Sequence, residues 1–205
     1  GYLEFVTDLL EQGHVELMPW LRYQKDEDVF EVRPPVTSTL EVRQGGKRRA
    51  IAHETQRAAL GAFEELLTAR IAQGYTFVPQ TPGEFFAPPE EAFEEHVVYA
   101  PEAPEQIKKR YYQRREAPHD EFGSEWRYRD GQLWEYNLQL MTRRQGPNVE
   151  LHAPGVLHAV YTSHEDEWHG SMLLLKPDGS LRAWRQFDAG RKMGRWQEVD
   201  EENRT

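Results

Sequence analysis

Apolar positions fall at helical spacing in two places along this chain and at alternating or clustered spacing almost everywhere else. Leu3, Val6, Leu9 and Leu10 line one face of a helix over Tyr2–Gln12, and Gly13 ends the pattern as a C-terminal glycine does. A broader face belongs to a second helix over Glu54–Gln73, formed by Ala58, Leu60, Phe63, Leu66, Leu67, Ala69 and Ile71 and closed by Gly74. Strand patterns surround it at Val29–Val32, Thr37–Arg43, Arg49–Ala52 and Tyr75–Val78. Lys25-Asp26-Glu27-Asp28 reads as a charged loop, and Gln44-Gly45-Gly46-Lys47 supplies hairpin chemistry. A small antiparallel sheet with two helices is the expectation for a first lobe, residues 1–82.

The pattern then changes. Glu84, Glu90, Glu91, Glu94 and Glu95 surround Phe85, Phe86 and Phe93, and Pro104–Glu116 reads as a short helix with proline in its first turn. Residues 83–120 are therefore expected to be a linker and a short helix. Beyond them, Trp126–Arg129 and Leu133–Tyr136 flank Asp130-Gly131, Val149–Leu151 and Val156–Thr162 flank Pro154-Gly155, and Leu173–Leu175 and Leu181–Phe187 flank Asp178-Gly179. Two-residue turns between alternating runs predict antiparallel β hairpins over 121–205, a lobe that also holds five of the six tryptophans. The two Asp-Gly hairpins share turn chemistry rather than a duplicated ancestor. The expected class is α+β, with a charged, frayed tail after Asp200.

Composition narrows the function classes. With 205 residues and 38% hydrophobic content the chain can bury a core of its own. A formal charge of −10 sets up a field that disfavours nucleic acid and anionic membrane as partners. The absence of cysteine excludes a disulfide, a thiolate zinc site, an iron–sulfur cluster and a thiol nucleophile, and a cytoplasmic setting is the expectation. No membrane span or export signal is expected, since no run reaches the roughly 20 apolar residues that a bilayer requires. Gly1-Tyr2-Leu3, without an initiator methionine, reads as a segment cut from a longer protein. Lys108-Lys109-Arg110, Tyr111-Tyr112 and Arg114-Arg115 mix cations with aromatics as phosphate-and-stacking surfaces do, and Lys47-Arg48-Arg49 makes a second basic run. A solvated helix with one tyrosine docked inward accounts for the first run without any ligand.

Reactive side chains concentrate near the end. Four of the eight histidines lie between His152 and His169, interleaved with Glu165, Asp166, Glu167 and Trp168. His164 and His169 sit at the two ends of an expected hairpin loop, and Trp168 within it is the aromatic placed to contact a ligand. Trp168, His158, His164 and His169 are the candidate ligand-binding residues of a noncatalytic binding or protein-interaction module. Its partner is expected to be a protein or a small molecule; no catalytic residue, cofactor or metal is assigned. The alternative is a divalent-metal-dependent hydrolase in which His158, His164, His169 and Asp166 hold the ion and Glu165 or Glu167 takes a proton from its bound water.

Leu40 to Val78 runs strand, basic turn, strand, helix with Ala59, Phe63, Leu66 and Leu67, then Gly74-Tyr75. In that order it resembles the back half of a WGR domain over about a fifth of the chain. The Trp-Gly-Arg signature is absent upstream, where Pro34-Pro35-Val36 stands, and the resemblance implies no functional residue here.

Overall fold

The computed structural model describes residues 18–79, 91–140 and 143–198. The first sheet is built from β1 (Leu21–Lys25), β2 (Asp28–Arg33), β3 (Thr39–Gln44), β4 (Lys47–Ala52) and β5 (Thr76–Val78), in the order β4-β3-β2-β1-β5. All of its neighbours are antiparallel. The charged loop shrinks to a tight turn between β1 and β2. Gly45-Gly46, at φ 55° and 74°, closes the β3–β4 hairpin in the backbone conformation that glycine adopts without penalty. Period-two alternation then sorts the side chains. Leu21, Tyr23, Phe30, Val32 and Leu40 turn inward, while Arg22 pairs with Glu31 and Arg33 with Glu41.

Helix α1 (Gln56–Ala72) lies between β4 and β5 in sequence. Thr55 caps it, its hydroxyl accepting from the Ala58 amide at 3.1 Å. Ala59, Leu60, Phe63 and Leu67 are its buried residues, and Leu60, Phe63 and Leu67 join the inward side chains of the sheet.

A nine-stranded meander follows: β6 (Phe93–Ala100), β7 (Ala103–Arg114), β8 (Ala117–Arg129), β9 (Gln132–Leu140), β10 (Arg143–Ala153), β11 (Val156–His164), β12 (Glu167–Leu175), β13 (Leu181–Asp188) and β14 (Arg191–Glu198). Each strand pairs antiparallel with the next, so spatial order equals chain order. The row Tyr136, Val149, Val160, Leu173 and Trp184 runs across β9 to β13 on one face and packs into the same apolar cluster as Tyr23, Phe30, Phe63 and Phe77. The two sheets thus share a core. The Phe77 amide donates to the Gly155 carbonyl at 2.7 Å, and the Gly179 turn rests closely on α1: a Cβ there would lie 2.7 Å from Ile71 Cδ1, which would have to shift, and 3.3 Å from the helix backbone at Leu67 and Thr68.

Two expectations are corrected. The α+β plan with two helices against the first sheet gives way to a mostly β structure with one helix among the described residues and two antiparallel sheets. The helix expected over Tyr2–Gln12 lies outside those residues, as do the segment 80–90 and the tail. Pro104–Glu116 is no helix: Ala103–Arg114 is strand β7. Ile107, Tyr111 and Tyr112 favour a pleated surface, and neighbouring strands supply acids for its cations. Lys109 pairs with Glu121, Arg110 with Glu95 at 3.2 Å, and Arg115, just past the strand, with Glu94 at 3.9 Å. No helix among the described residues is long and apolar enough to cross a membrane.

Candidate functional site

Beside the core row of the second sheet runs its alternate on the opposite face: Glu125, Asn137, Asn148, Tyr161, Met172 and Arg185 across β8 to β13. A parallel row joins Arg127, Glu135, Glu150, Ala159 and Leu174. This face is polar on β8 to β10 and becomes apolar on β11 to β13, where Ala159, Tyr161, Met172 and Phe187 form a small buried cluster.

The polar half contains a recess of about 390 Å³ lined by Glu125, Arg127, Gln139, Arg144 and Asp166. Beside it lies Glu135, whose side chain is only 10% exposed. Its Oε2 accepts from Arg127 Nη1 at 3.3 Å; its Oε1 accepts from Arg144 Nη2 at 3.1 Å and from Asn137 Nδ2 at 2.8 Å. Arg127 Nη2 also donates to Glu125 Oε2 at 3.1 Å, and Gln139 Nε2 donates to the same oxygen at 2.8 Å. Such a carboxylate would be costly to bury alone, and three donors stabilise it. Asn137 Oδ1 and Asn148 Oδ1, in the adjoining row, are buried with no hydrogen-bond donor among the described residues. Burial pushes the Tyr161 phenol far above its ordinary range, and the charge of Glu150, which accepts its O–H at 3.2 Å, adds to the shift.

Asp166 reaches the recess through backbone geometry. Glu165 and Asp166 form the β11–β12 turn with φ of 51° and 71°, a left-handed pair that costs side-chain-bearing residues energy. Compensation comes from β10: Asp166 Oδ1 accepts from the Arg144 amide at 2.8 Å, the Asp166 amide donates to the Arg144 carbonyl at 3.2 Å, and Glu165 pairs with Arg143 at 3.5 Å.

The other residues singled out in the sequence scatter. Trp168 is 46% exposed and meets the Phe187 ring edge-on at 5.0 Å, at the rim of the apolar half of the face. His164 approaches Gln145 Oε1 at 3.2 Å, and His169 approaches Asp188 at 3.5 Å, with the two imidazoles 5.9 Å apart. His158 instead meets His152, its Nδ1 3.0 Å from His152 Nε2. Burial holds the His158 imidazole below the usual histidine range, and His152 beside it works in the same direction. The structure does not gather His158, His164, His169 and Asp166 around one centre. Among the described residues no group of three or more His, Cys, Asp or Glu side chains is placed to hold a metal ion.

Comparison with protein-family models, curated proteins and solved structures gives no match. The resemblance over Leu40–Val78 therefore assigns no family. Of the recess residues, sequence reasoning singled out only Asp166. Glu125, Arg127, Gln139 and Arg144 were missed, as was Glu135 beside them, although they recur at alternate positions around the Asp130-Gly131 hairpin and on the strand after it.

Proposed function

We propose that this protein is a noncatalytic binding module whose recess takes a small polar molecule carrying both an acid and a protonated amine. One observation supports the reading above others: the Glu135 carboxylate, nearly shielded from water, clamped between Arg127 and Arg144 beside an open recess. For stability alone an apolar cluster would serve as well or better, because desolvating a buried ion pair offsets much of its attraction. Fixed charges at an opening, by contrast, meet a ligand without reorganising. Guanidinium groups match a planar acid through paired N–H donors. Glu125 and Asp166 each use one oxygen in the bonds above, leaving the other to accept from an amine. Glu135, already accepting from three donors, suits a structural role better than that of a base. At about 390 Å³ the recess falls in the usual size range of small-ligand sites, roughly 300–1,000 Å³.

The test is a titration of the isotope-labelled chain with an equimolar mixture of free amino acids, read by amide chemical shifts. Shifts confined to β8, β9, β10 and the Glu165-Asp166 turn, and lost in Arg144→Gln, are expected. No shifts at millimolar concentration, or shifts that survive in Arg144→Gln, would remove the recess as the site. Shifts centred on Trp168 alone would transfer the binding role to the exposed aromatic.

A further inference from the structure

The pairing of β10 with β11 slips twice within a few residues. Glu150 stands opposite Ala159, Leu151 opposite Leu157, and Ala153 opposite Val156. One residue on each strand is therefore left without a partner: His158 on β11 and His152 on β10. Bulges of this kind re-aim side chains out of strict alternation, and here they turn two imidazoles toward each other. The ring centroids are 4.1 Å apart with planes inclined at 57°, and His158 Nδ1 lies 3.0 Å from His152 Nε2. His152 is exposed and His158 half-buried, so the pair is open to solvent on one side.

That separation suits a shared proton, and it suits a shared cation equally well. Two imidazole nitrogens bound to one ion at about 2.0–2.1 Å, with an angle between right and tetrahedral, are about 2.8–3.4 Å apart. An ion could replace the bridging proton with little movement of either ring. The Leu175 carbonyl oxygen, 2.9 Å from His152 Nε2, borders the same spot as an oxygen donor. We propose that His152 and His158 form a two-imidazole site for a divalent transition ion, with copper or nickel preferred to zinc because paired nitrogens plus oxygen and water suit tetragonal coordination. The site is distinct from the polar recess, and the histidines paired at 5.9 Å, His164 and His169, take no part in it.

The experiment uses the full chain without an affinity tag, titrated with Cu²⁺ and followed by electron paramagnetic resonance, with Ni²⁺ followed by calorimetry. One ion per chain and hyperfine structure from two nitrogens are expected. His152→Gln and His158→Gln, made separately, should each weaken binding by about tenfold or more, since losing one of two linked ligands removes the gain from chelation. A His164→Gln/His169→Gln double variant should bind as the parent does, and Arg144→Gln, which tests the recess, should leave the metal affinity unchanged. Ni²⁺ should also raise the melting temperature of the parent but not of the His152→Gln/His158→Gln pair, whose near-ultraviolet circular dichroism reports on folding. Binding that persists in that folded pair, or that follows His164 and His169 instead, overturns the assignment.

Discussion

Two buried polar residues illustrate opposite consequences of the same cost. Glu135 is stabilised by Arg127, Arg144 and Asn137, so truncating it removes the shared acceptor of two guanidiniums and an amide. Breaking one partner of a nearly buried ion network costs about 3–5 kcal/mol where water is excluded; because both arginines are partly exposed, about 2 kcal/mol is expected for Glu135→Ala in urea unfolding. A loss no larger than that of an ordinary surface substitution would mean that water replaces the carboxylate freely. Tyr23 is the reverse case. Its ring is fully buried against Phe30 and Phe77, and its hydroxyl finds no partner among the described residues. Burial alone drives its pKa far upward. Tyr23→Phe keeps the packing and removes a desolvated O–H, so stability should be unchanged or rise by about 1 kcal/mol in the same assay. A clear loss would reveal an ordered water holding that hydroxyl.

Turns carry much of the information about elements. In the β12–β13 connection, Asp178 Oδ1 accepts from the Ser180 amide at 2.9 Å and the Ser180 hydroxyl at 2.6 Å, and these bonds hold its carboxyl below the usual range. A depressed carboxyl stabilises the fold above its unfolded pKa, near 4, and that contribution disappears as pH falls through the lower folded value. The stability difference between the parent and Asp178→Asn should therefore narrow as pH is lowered from about 4; urea midpoints at neutral and acid pH measure it, and a constant difference would sink the argument. Asp130-Gly131 and Gly45-Gly46 were legible in the sequence because a two-residue turn declares itself locally, and Asp178-Gly179 marked its hairpin too, although the structure spreads that connection over the five residues 176–180, with the Lys176 amide donating to the Ser180 carbonyl at 2.8 Å; α1 was legible through its apolar face and its terminating glycine. The charged strand β7 was not legible: both of its faces are polar, so no alternation is visible, and the acids that settle it lie on other strands. The recess was hidden by a bulge. Counting outward from Asp130-Gly131 pairs Arg127 with Trp134, whereas the structure inserts Trp134 as an extra residue, stacks Arg129 on it at 3.6 Å, and sets Arg127 opposite Glu135. His152 and His158 were unreadable for the same reason, since register errors move a side chain to the opposite face.

At the scale of the whole molecule the question is whether the two sheets unfold together. The five-stranded sheet and α1 supply Tyr23, Phe30, Phe63, Leu67 and Phe77 to a cluster completed by Tyr136, Val149, Val160 and Leu173 from the meander. Each fully buried side chain of this size contributes about 1.5–3 kcal/mol relative to exposure, so separating the sheets would forfeit a large share of either one's burial. Backbone contacts reinforce the seam, through Phe77 to Gly155 and through the Gly179 turn on α1. A chain built this way should open as one cooperative unit. Leu173→Ala tests it from one side: Leu173 is fully buried, and its truncation should cost about 2–5 kcal/mol. Because β1, β2 and β3 rest on the same cluster, their amides should lose hydrogen-exchange protection by as much as those of β11 and β12, although the substitution lies on the other sheet. Tryptophan fluorescence, with Trp20 reporting from the first sheet and Trp126 and Trp184 from the second, should follow the same urea transition as far-ultraviolet circular dichroism. Protection lost in the meander alone, with the first sheet unaffected, would mean that the shared cluster is a contact between two independently stable bodies.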